Sequence, residues 1–296
     1  MDVSRDQKFA REILGSSSYK SDAATTTTAR AYYNSHDADT FYRTIWGGST
    51  INIGLFESPS DPIPTASYRT IERMASLLTP LTSATRVLDL GSGYGGAARY
   101  LARTYGCTVC CLNLSEVENE RNRRLIQEEG LESLVTVREG SFEDLCSLPE
   151  GGFDVVWSQD AFLHSGDRRA MVREIDRVLV RKGASVIFTD PMAAEGVDQK
   201  ELGSVLRRLH LESLGDVEAY RRWFGEVGFM DVGFVDLTRD MEVHYGMILR
   251  ELECRERELK TQISDEYLAN MKVGLRKWVE GARSGRLSWG ILQFRR

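Results

Sequence analysis

From residue 85 onward, short apolar runs alternate with amphipathic stretches. "TRVLDLG" is an apolar run closed by glycine, and "GAARYLARTYG" after it repeats its apolar positions at helical spacing. "TVCCLNL", "LVTVREG", "FDVVWSQD" and "ASVIFTDP" continue the series, with a charged helix over 115–129 and "RRAMVREIDRVLV" among them. This order predicts βαβ units and a parallel sheet with helices on its faces. After residue 191 the alternation loosens. A mostly helical insertion is expected over 198–225, a sixth strand in "FMDVGFVDLT", a long helical stretch over 246–280, and a last strand in "LSWGILQFR".

The amino-terminal part has a different pattern. Residues 1–27 are polar, end in "SDAATTTT", and read as a loose arm leading to a helix cap. Residues 28–46 place Tyr32, Tyr33, Phe41, Tyr42, Ile45 and Trp46 at mostly helical spacing. "GGST" then breaks the chain before "INIGLF", and a further helix is expected from Ala66 to Leu78. The expected division is an arm (1–27), amino-terminal helices (28–80) and an α/β domain (81–296) carrying the two helical insertions.

Composition narrows the class. With 42% hydrophobic and 28% charged residues over 296 positions, the chain is globular and long enough for a large core. A net charge of −6 argues against nucleic acid or an anionic membrane as the main partner. The final stretch is locally basic, with Lys272, Arg276, Lys277, Arg283, Arg286, Arg295 and Arg296 against Glu280 alone. It reads as a solvated helix face or as a patch for an anionic substrate. Five cysteines without regular spacing do not make a disulfide framework. Cys110 and Cys111 are adjacent in a strand, point to opposite faces and cannot easily share a metal, so no metal site is expected. No secretory signal or membrane span is visible, and a reducing, cytoplasmic setting is expected.

The glycine loop carries the first chemical signal. "VLDLGSGYGG" fits G-x-G-x-x-G through Gly91, Gly93 and Gly96, and D-x-G-x-G-x-G through Asp89, Gly91, Gly93 and Gly95. Both patterns need glycine where the backbone turns tightly against a ligand. Asp89 separates them. A carboxylate here suits a ligand with an amino group and a sulfonium, which points to S-adenosylmethionine rather than a dinucleotide. Open α/β sheets bind ligands beyond the carboxyl ends of their strands. Those ends carry Asn113 and Leu114, Ser141 and Phe142, and Ser158 to Asp160 with Gln159 between them. Asn113 falls near the spacing of a ribose-binding residue, as an amide where an acid is usual. Phe142 is expected to wall the adenine.

These stretches, "VLDLGSGYGGAARYLA" and "GGFDVVWSQDAFLHS", resemble the class I S-adenosylmethionine-dependent methyltransferases. Together with "ARAYYNSHDADTFYRTIWGGSTINIGLF" and "GARSGRLSWGILQFRR" they resemble the sarcosine/dimethylglycine N-methyltransferases of glycine betaine synthesis, with phosphoethanolamine methyltransferases sharing much of the pattern. The resemblance implies a Rossmann-like seven-stranded sheet with an antiparallel last strand and a lid made by the amino-terminal helix. It implies a small amine as substrate, and no nucleic acid or membrane partner. Ile51 and Asn52 complete the expected cofactor contacts.

Methyl transfer from a sulfonium is an in-line displacement, so the protein mainly positions the nucleophile. A protonated amine cannot attack, and His164 suits the role of proton acceptor. By burial statistics alone, a histidine beside "AFL" is more often a structural residue at the edge of a core; its place just past the fourth strand end turns the balance toward function. Asp160, four residues earlier, is expected to orient the ring or to bind the substrate cation. The phosphoethanolamine resemblance implies a lid tyrosine meeting His164, with Tyr33 as first choice and Tyr32 as alternative. Tyr32, Tyr33, Tyr42, Trp46 and Phe56 are candidates for a cage around a methylated ammonium, or simply the apolar face of the lid. Arg207, Arg208, Arg221 and Arg222 are candidates for the substrate carboxylate. Met192 is expected to reach the substrate side. The other readings are a methyltransferase on another small acceptor and a cofactor-binding protein of the same fold without catalysis.

Overall fold

The computed structural model describes residues 24–296 other than Thr79 and His210. The expected loose arm therefore lies largely outside the described residues. Its last part does not: helix α1 spans Ala24–Tyr33, four residues earlier than expected. The helical stretch over 28–46 is two helices, because Ser35 interrupts it. The Ser35 side chain accepts a hydrogen bond from the Ala38 amide (3.3 Å) and starts α2 (His36–Trp46) as its N-cap. Helix α3 (Ile63–Leu77) begins three residues before the expected Ala66, with proline in its first turn.

The remaining elements alternate as the pattern requires. They are β1 (Arg86–Leu90), α4 (Gly96–Tyr105), β2 (Thr108–Asn113), α5 (Glu116–Glu128), β3 (Val135–Glu139), β4 (Val155–Gln159), α6 (Arg168–Val178) and β5 (Ser185–Ala193). After them come α7 (Val217–Glu226), β6 (Met230–Asp236), α8 (Thr238–Cys254), α9 (Asp265–Arg283) and β7 (Leu287–Arg295). The seven strands form one sheet in the order β3-β2-β1-β4-β5-β7-β6. The first five pair in parallel, and β7 runs antiparallel between β5 and β6.

Burial on both faces explains why the strands read as nearly continuous apolar runs. Leu88, Leu90, Cys110 and Val156 enter one core; Val87, Val109, Cys111 and Trp157 enter the other. The adjacent Cys110 and Cys111 thus lie on opposite sides of the sheet. A third core builds the cap. Phe41, Ile45 and Trp46 of α2 pack with Met241, Tyr245 and Ile248 of α8 and with Leu275 and Trp278 of α9. The insertion between β6 and β7 therefore starts at α8, earlier than the expected residue 246, and shares a core with the amino-terminal helices.

The basic carboxyl-terminal stretch is mostly a paired surface. Lys272 meets Glu256 (2.6 Å), Arg276 meets Glu253 (2.7 Å) and Arg283 meets Glu242 (2.8 Å). No helix among the described residues is long and apolar enough to cross a membrane.

Candidate functional site

The strand order reverses between β1 and β4, and a cavity opens beyond their carboxyl ends, the place where open α/β sheets bind ligands. Its floor is the β1–α4 loop with the ends of β2 and β4; its roof is α1, α2 and residues 51–53.

The loop is held by protein contacts before any ligand arrives. Gly91 and Gly95 have φ of 72° and 70°, in the left-handed region. A Cβ on Gly91 would lie 2.3 Å from that of Ala161, and one on Gly95 would lie 2.0 Å from Asn122 Oδ1. The amide of Gly91 donates to the Leu112 carbonyl at 2.8 Å, tying the loop to the end of β2.

Of the expected cofactor contacts, Ile51, Asn52, Gly91, Gly93, Asn113, Leu114, Phe142 and Gln159 line the cavity. Asp89 and Ser141 do not. Asp89 shares the face of Val87, its neighbour two residues earlier in β1, and its carboxylate is buried behind the loop. Its Oδ2 has no hydrogen-bond partner, and burial pushes its pKa up to about 7. Ser141 turns its hydroxyl to the Glu143 amide (3.1 Å), leaving Gly140 and Phe142 on the wall. Gln159 has a fixed amide orientation. The Trp157 indole N–H can only donate, and it donates to Gln159 Oε1 (3.2 Å), so Nε2 is the buried end without a partner.

Glu118 also lines the cavity and was not anticipated. It accepts from the Asn113 side-chain amide at 2.8 Å, and burial raises its pKa to about 7. A carboxylate therefore does stand at the end of β2, supplied five residues later than the usual position. The signal was the capping pattern "SEVE": Ser115 accepts from the Glu118 amide (3.1 Å), so Glu118 occupies the third helical position. Its side chain turns to Asn113 instead of closing that box.

Above the far end of the cavity, the Tyr33 hydroxyl and His164 Nε2 share a hydrogen bond of 3.1 Å. Tyr32 instead directs its hydroxyl to Tyr42 (3.4 Å) and Tyr267 (3.2 Å). Helix α1 is latched further by Arg30, which pairs with Glu116 and, at 2.7 Å, with Glu139. Tyr33, Tyr42 and Trp46 line the cavity, and so does Tyr245 of α8; Phe56 packs on His244 away from it.

Two expectations are corrected. Asp160 is not one helical turn from His164. It adopts φ 53°, and His164 ends a separate short turn, Phe162–His164. The Asp160 carboxylate accepts from the Ile53 amide (2.8 Å), the Thr189 hydroxyl (2.9 Å) and the Trp289 indole (2.7 Å), so it fastens the roof to the sheet instead of orienting the His164 ring, while the residue itself lines the cavity where the substrate cation is expected. Burial raises its pKa, opposed by these three donors. Met192 is buried in the sheet core; strand alternation puts its neighbour Pro191 on the wall instead.

Of the arginines weighed for a carboxylate, Arg207 borders a separate groove behind α1, Arg221 pairs with Glu218 and Asp231, and Arg222 is exposed. The side chain of Arg208 lies outside the described residues.

The sheet order, with its antiparallel β7 and a glycine loop after β1, defines an S-adenosylmethionine-dependent methyltransferase. A methyltransferase-domain family model matches residues 88–187. The chain is 50% identical to a sarcosine/dimethylglycine N-methyltransferase of Halorhodospira halochloris, over 91% of this chain and 96% of that one. It is 55% identical to a glycine/sarcosine/dimethylglycine N-methyltransferase of Actinopolyspora halophila over 90% of its length, and spans 47% of that longer protein. The crystal structure of a putative sarcosine dimethylglycine methyltransferase from Galdieria sulphuraria superposes with a TM-score of 0.84 at 39% identity, covering 89% of this chain and 98% of that one. The chain belongs to the sarcosine/dimethylglycine N-methyltransferase family.

Proposed function

We propose that the chain methylates the nitrogen of sarcosine and N,N-dimethylglycine, ending at betaine. The observation that carries this reading is the meeting of Tyr33 and His164 over a cavity walled by Tyr42, Trp46 and Tyr245. Aromatic faces favour a methylated ammonium, and the imidazole beside them can take a proton. The family relatives support the same acceptors.

The residues fit the cofactor. S-adenosylmethionine carries an ammonium, a carboxylate, a ribose diol and a sulfonium. Gln159 Nε2 is a buried donor without a partner on a wall residue, which suits the carboxylate of an amino-acid tail, and the Asp89 carboxylate buried behind the adjoining glycine loop adds a negative charge that suits the ammonium. Glu118 with Asn113 suits the diol, and Leu114 with Phe142 suits the adenine. Ile51, Asn52, Gly91 and Gly93 complete the wall. The cofactor supplies a methyl group on a positively charged sulfur.

The chain's own work is positioning and proton handling. An alkylammonium titrates near ten, about like lysine, so at neutral pH the acceptor arrives protonated. His164 takes that proton, exposing the nitrogen lone pair. With the lone pair exposed, the walls of Tyr42, Trp46 and Tyr245 would hold the nitrogen in line with the methyl group that the cofactor would supply. Tyr33 holds the imidazole and closes the lid over it. The five free cysteines support a reducing compartment such as the cytoplasm.

A screen with methyl-labelled cofactor tests the proposal, with glycine, sarcosine, N,N-dimethylglycine and phosphoethanolamine as acceptors. Label in N,N-dimethylglycine and sarcosine is the expected result. Label in phosphoethanolamine alone, or tight cofactor binding with no label transferred, would overturn it.

A further inference from the structure

His164 sits on a three-residue turn, yet the residue before it, Leu163, is gripped at both its amide and its carbonyl. The Leu163 amide donates to Asp190 Oδ1 at 2.9 Å. The Leu163 carbonyl, which belongs to the same peptide unit as the His164 nitrogen, accepts from the Arg168 guanidinium at 3.0 Å. Each grip is itself held. Tyr220 donates its hydroxyl to Asp190 Oδ2 at 2.7 Å, and Arg168 donates to the Ser213 carbonyl at 2.9 Å. Asp190, Tyr220 and Leu163 are all buried. Beyond His164, the Glu143 carboxylate takes the Ser165 hydroxyl (2.7 Å) and the Gly166 amide (2.6 Å).

A buried carboxylate costs free energy unless donors satisfy it, and packing around it does not require a charge. Asp190 stands in β5 between Thr189, which bonds Asp160, and Pro191, which lines the cavity. The acid therefore links the strand beside the substrate to the turn that carries the histidine. Tyr220 packs on Phe188 (ring centroids 4.9 Å apart), so its ring would stay in place without the hydroxyl.

We propose that Asp190, Tyr220 and Arg168 are positioning residues for His164: together they fix the two peptide units flanking Leu163 and so aim the imidazole at the cavity and at Tyr33. The proposal rests on the proton-accepting role given to His164 above. Misplacing a reacting group by about 1 Å can cost about 100-fold in rate, so loosening one grip is expected to lower turnover about 10-fold or more.

The test uses Tyr220→Phe and Arg168→Met, which loosen the turn from opposite sides. Both are expected to lower kcat about 10-fold or more while leaving the Kd for S-adenosylhomocysteine within about twofold. In a His164→Ala background neither should lower kcat further. The His164 ring resonances, read by NMR, should shift in both. Thermal unfolding monitors folding, and if one variant fails to fold the other carries the test. Normal kcat with unshifted ring resonances in the folded variants would overturn the proposal, as would an undiminished effect in the His164→Ala background. Should His164→Ala alone leave turnover unchanged, the catalytic reading fails, and the ring resonances still decide whether the three residues hold the turn.

Discussion

The hydroxyl of Tyr33 lies 3.1 Å from His164 Nε2, which joins the first described helix to the turn after β4 across 131 residues of sequence. The contact ties α1 to the imidazole at the far wall of the cavity. His164→Ala is expected to keep cofactor binding and to lower turnover by at least about 100-fold, the scale of a lost general base. Tyr33→Phe should lower turnover less. Steady-state kinetics with isothermal titration of S-adenosylhomocysteine checks both, and wild-type turnover in His164→Ala would refute the role.

Burial sets the direction in which the Asp89 carboxylate titrates. It holds the folded pKa at about 7, above the ordinary aspartate value of 3.8. The folded protein without ligand therefore holds the extra proton between these values, and the favourable contribution present below 3.8 is lost as pH rises through about 7. A cationic ligand favours the ionised carboxylate and lowers its pKa. Affinity for S-adenosylmethionine should thus increase with pH up to about 7, with proton release on binding below that pH. Calorimetry in buffers of different ionisation enthalpy measures the release. In Asp89→Asn the pH slope should shrink and the affinity fall.

Trp289 and Asp160 form the strut between β7 and the roof, at 2.7 Å. Trp289→Phe keeps most of the buried ring and removes one donor from a buried carboxylate. A loss of about 1–3 kcal/mol is expected, the cost of an unsatisfied buried group. Denaturant unfolding measures it, and an unchanged midpoint would contradict the strut.

Arg30 latches α1 to Glu116 and Glu139, with all three side chains more than a third exposed. Such pairs contribute about 0–1 kcal/mol and weaken in salt. Arg30→Met should therefore speed S-adenosylhomocysteine release by no more than about fivefold, and should reduce the salt dependence of that rate. Stopped-flow displacement at two ionic strengths reads both.

Much of this was legible in the sequence, and the misses have physical reasons. Strands buried on both faces announce themselves as unbroken apolar runs, so "TVCCLNL" and "LSWGILQFR" were placed within a residue or two. The Ser35 cap was hidden because the apolar spacing continues across it. Glu118 was hidden among the charges of a helix whose first turn happens to face the cavity. The distance of Asp160 from the His164 ring is not legible because its left-handed backbone puts it out of helical phase with His164, and its partner Trp289 is 129 residues away. Met192 and Pro191 differ only by strand alternation, which sequence reads poorly where both neighbours are apolar.

A crystal structure with S-adenosylhomocysteine decides where the cofactor lies. The ligand is expected between the Gly91–Gly93 loop and Phe142, with its sulfur facing His164 and Tyr33. A ligand bound elsewhere, or a His164 ring turned away from the sulfur, would contradict it.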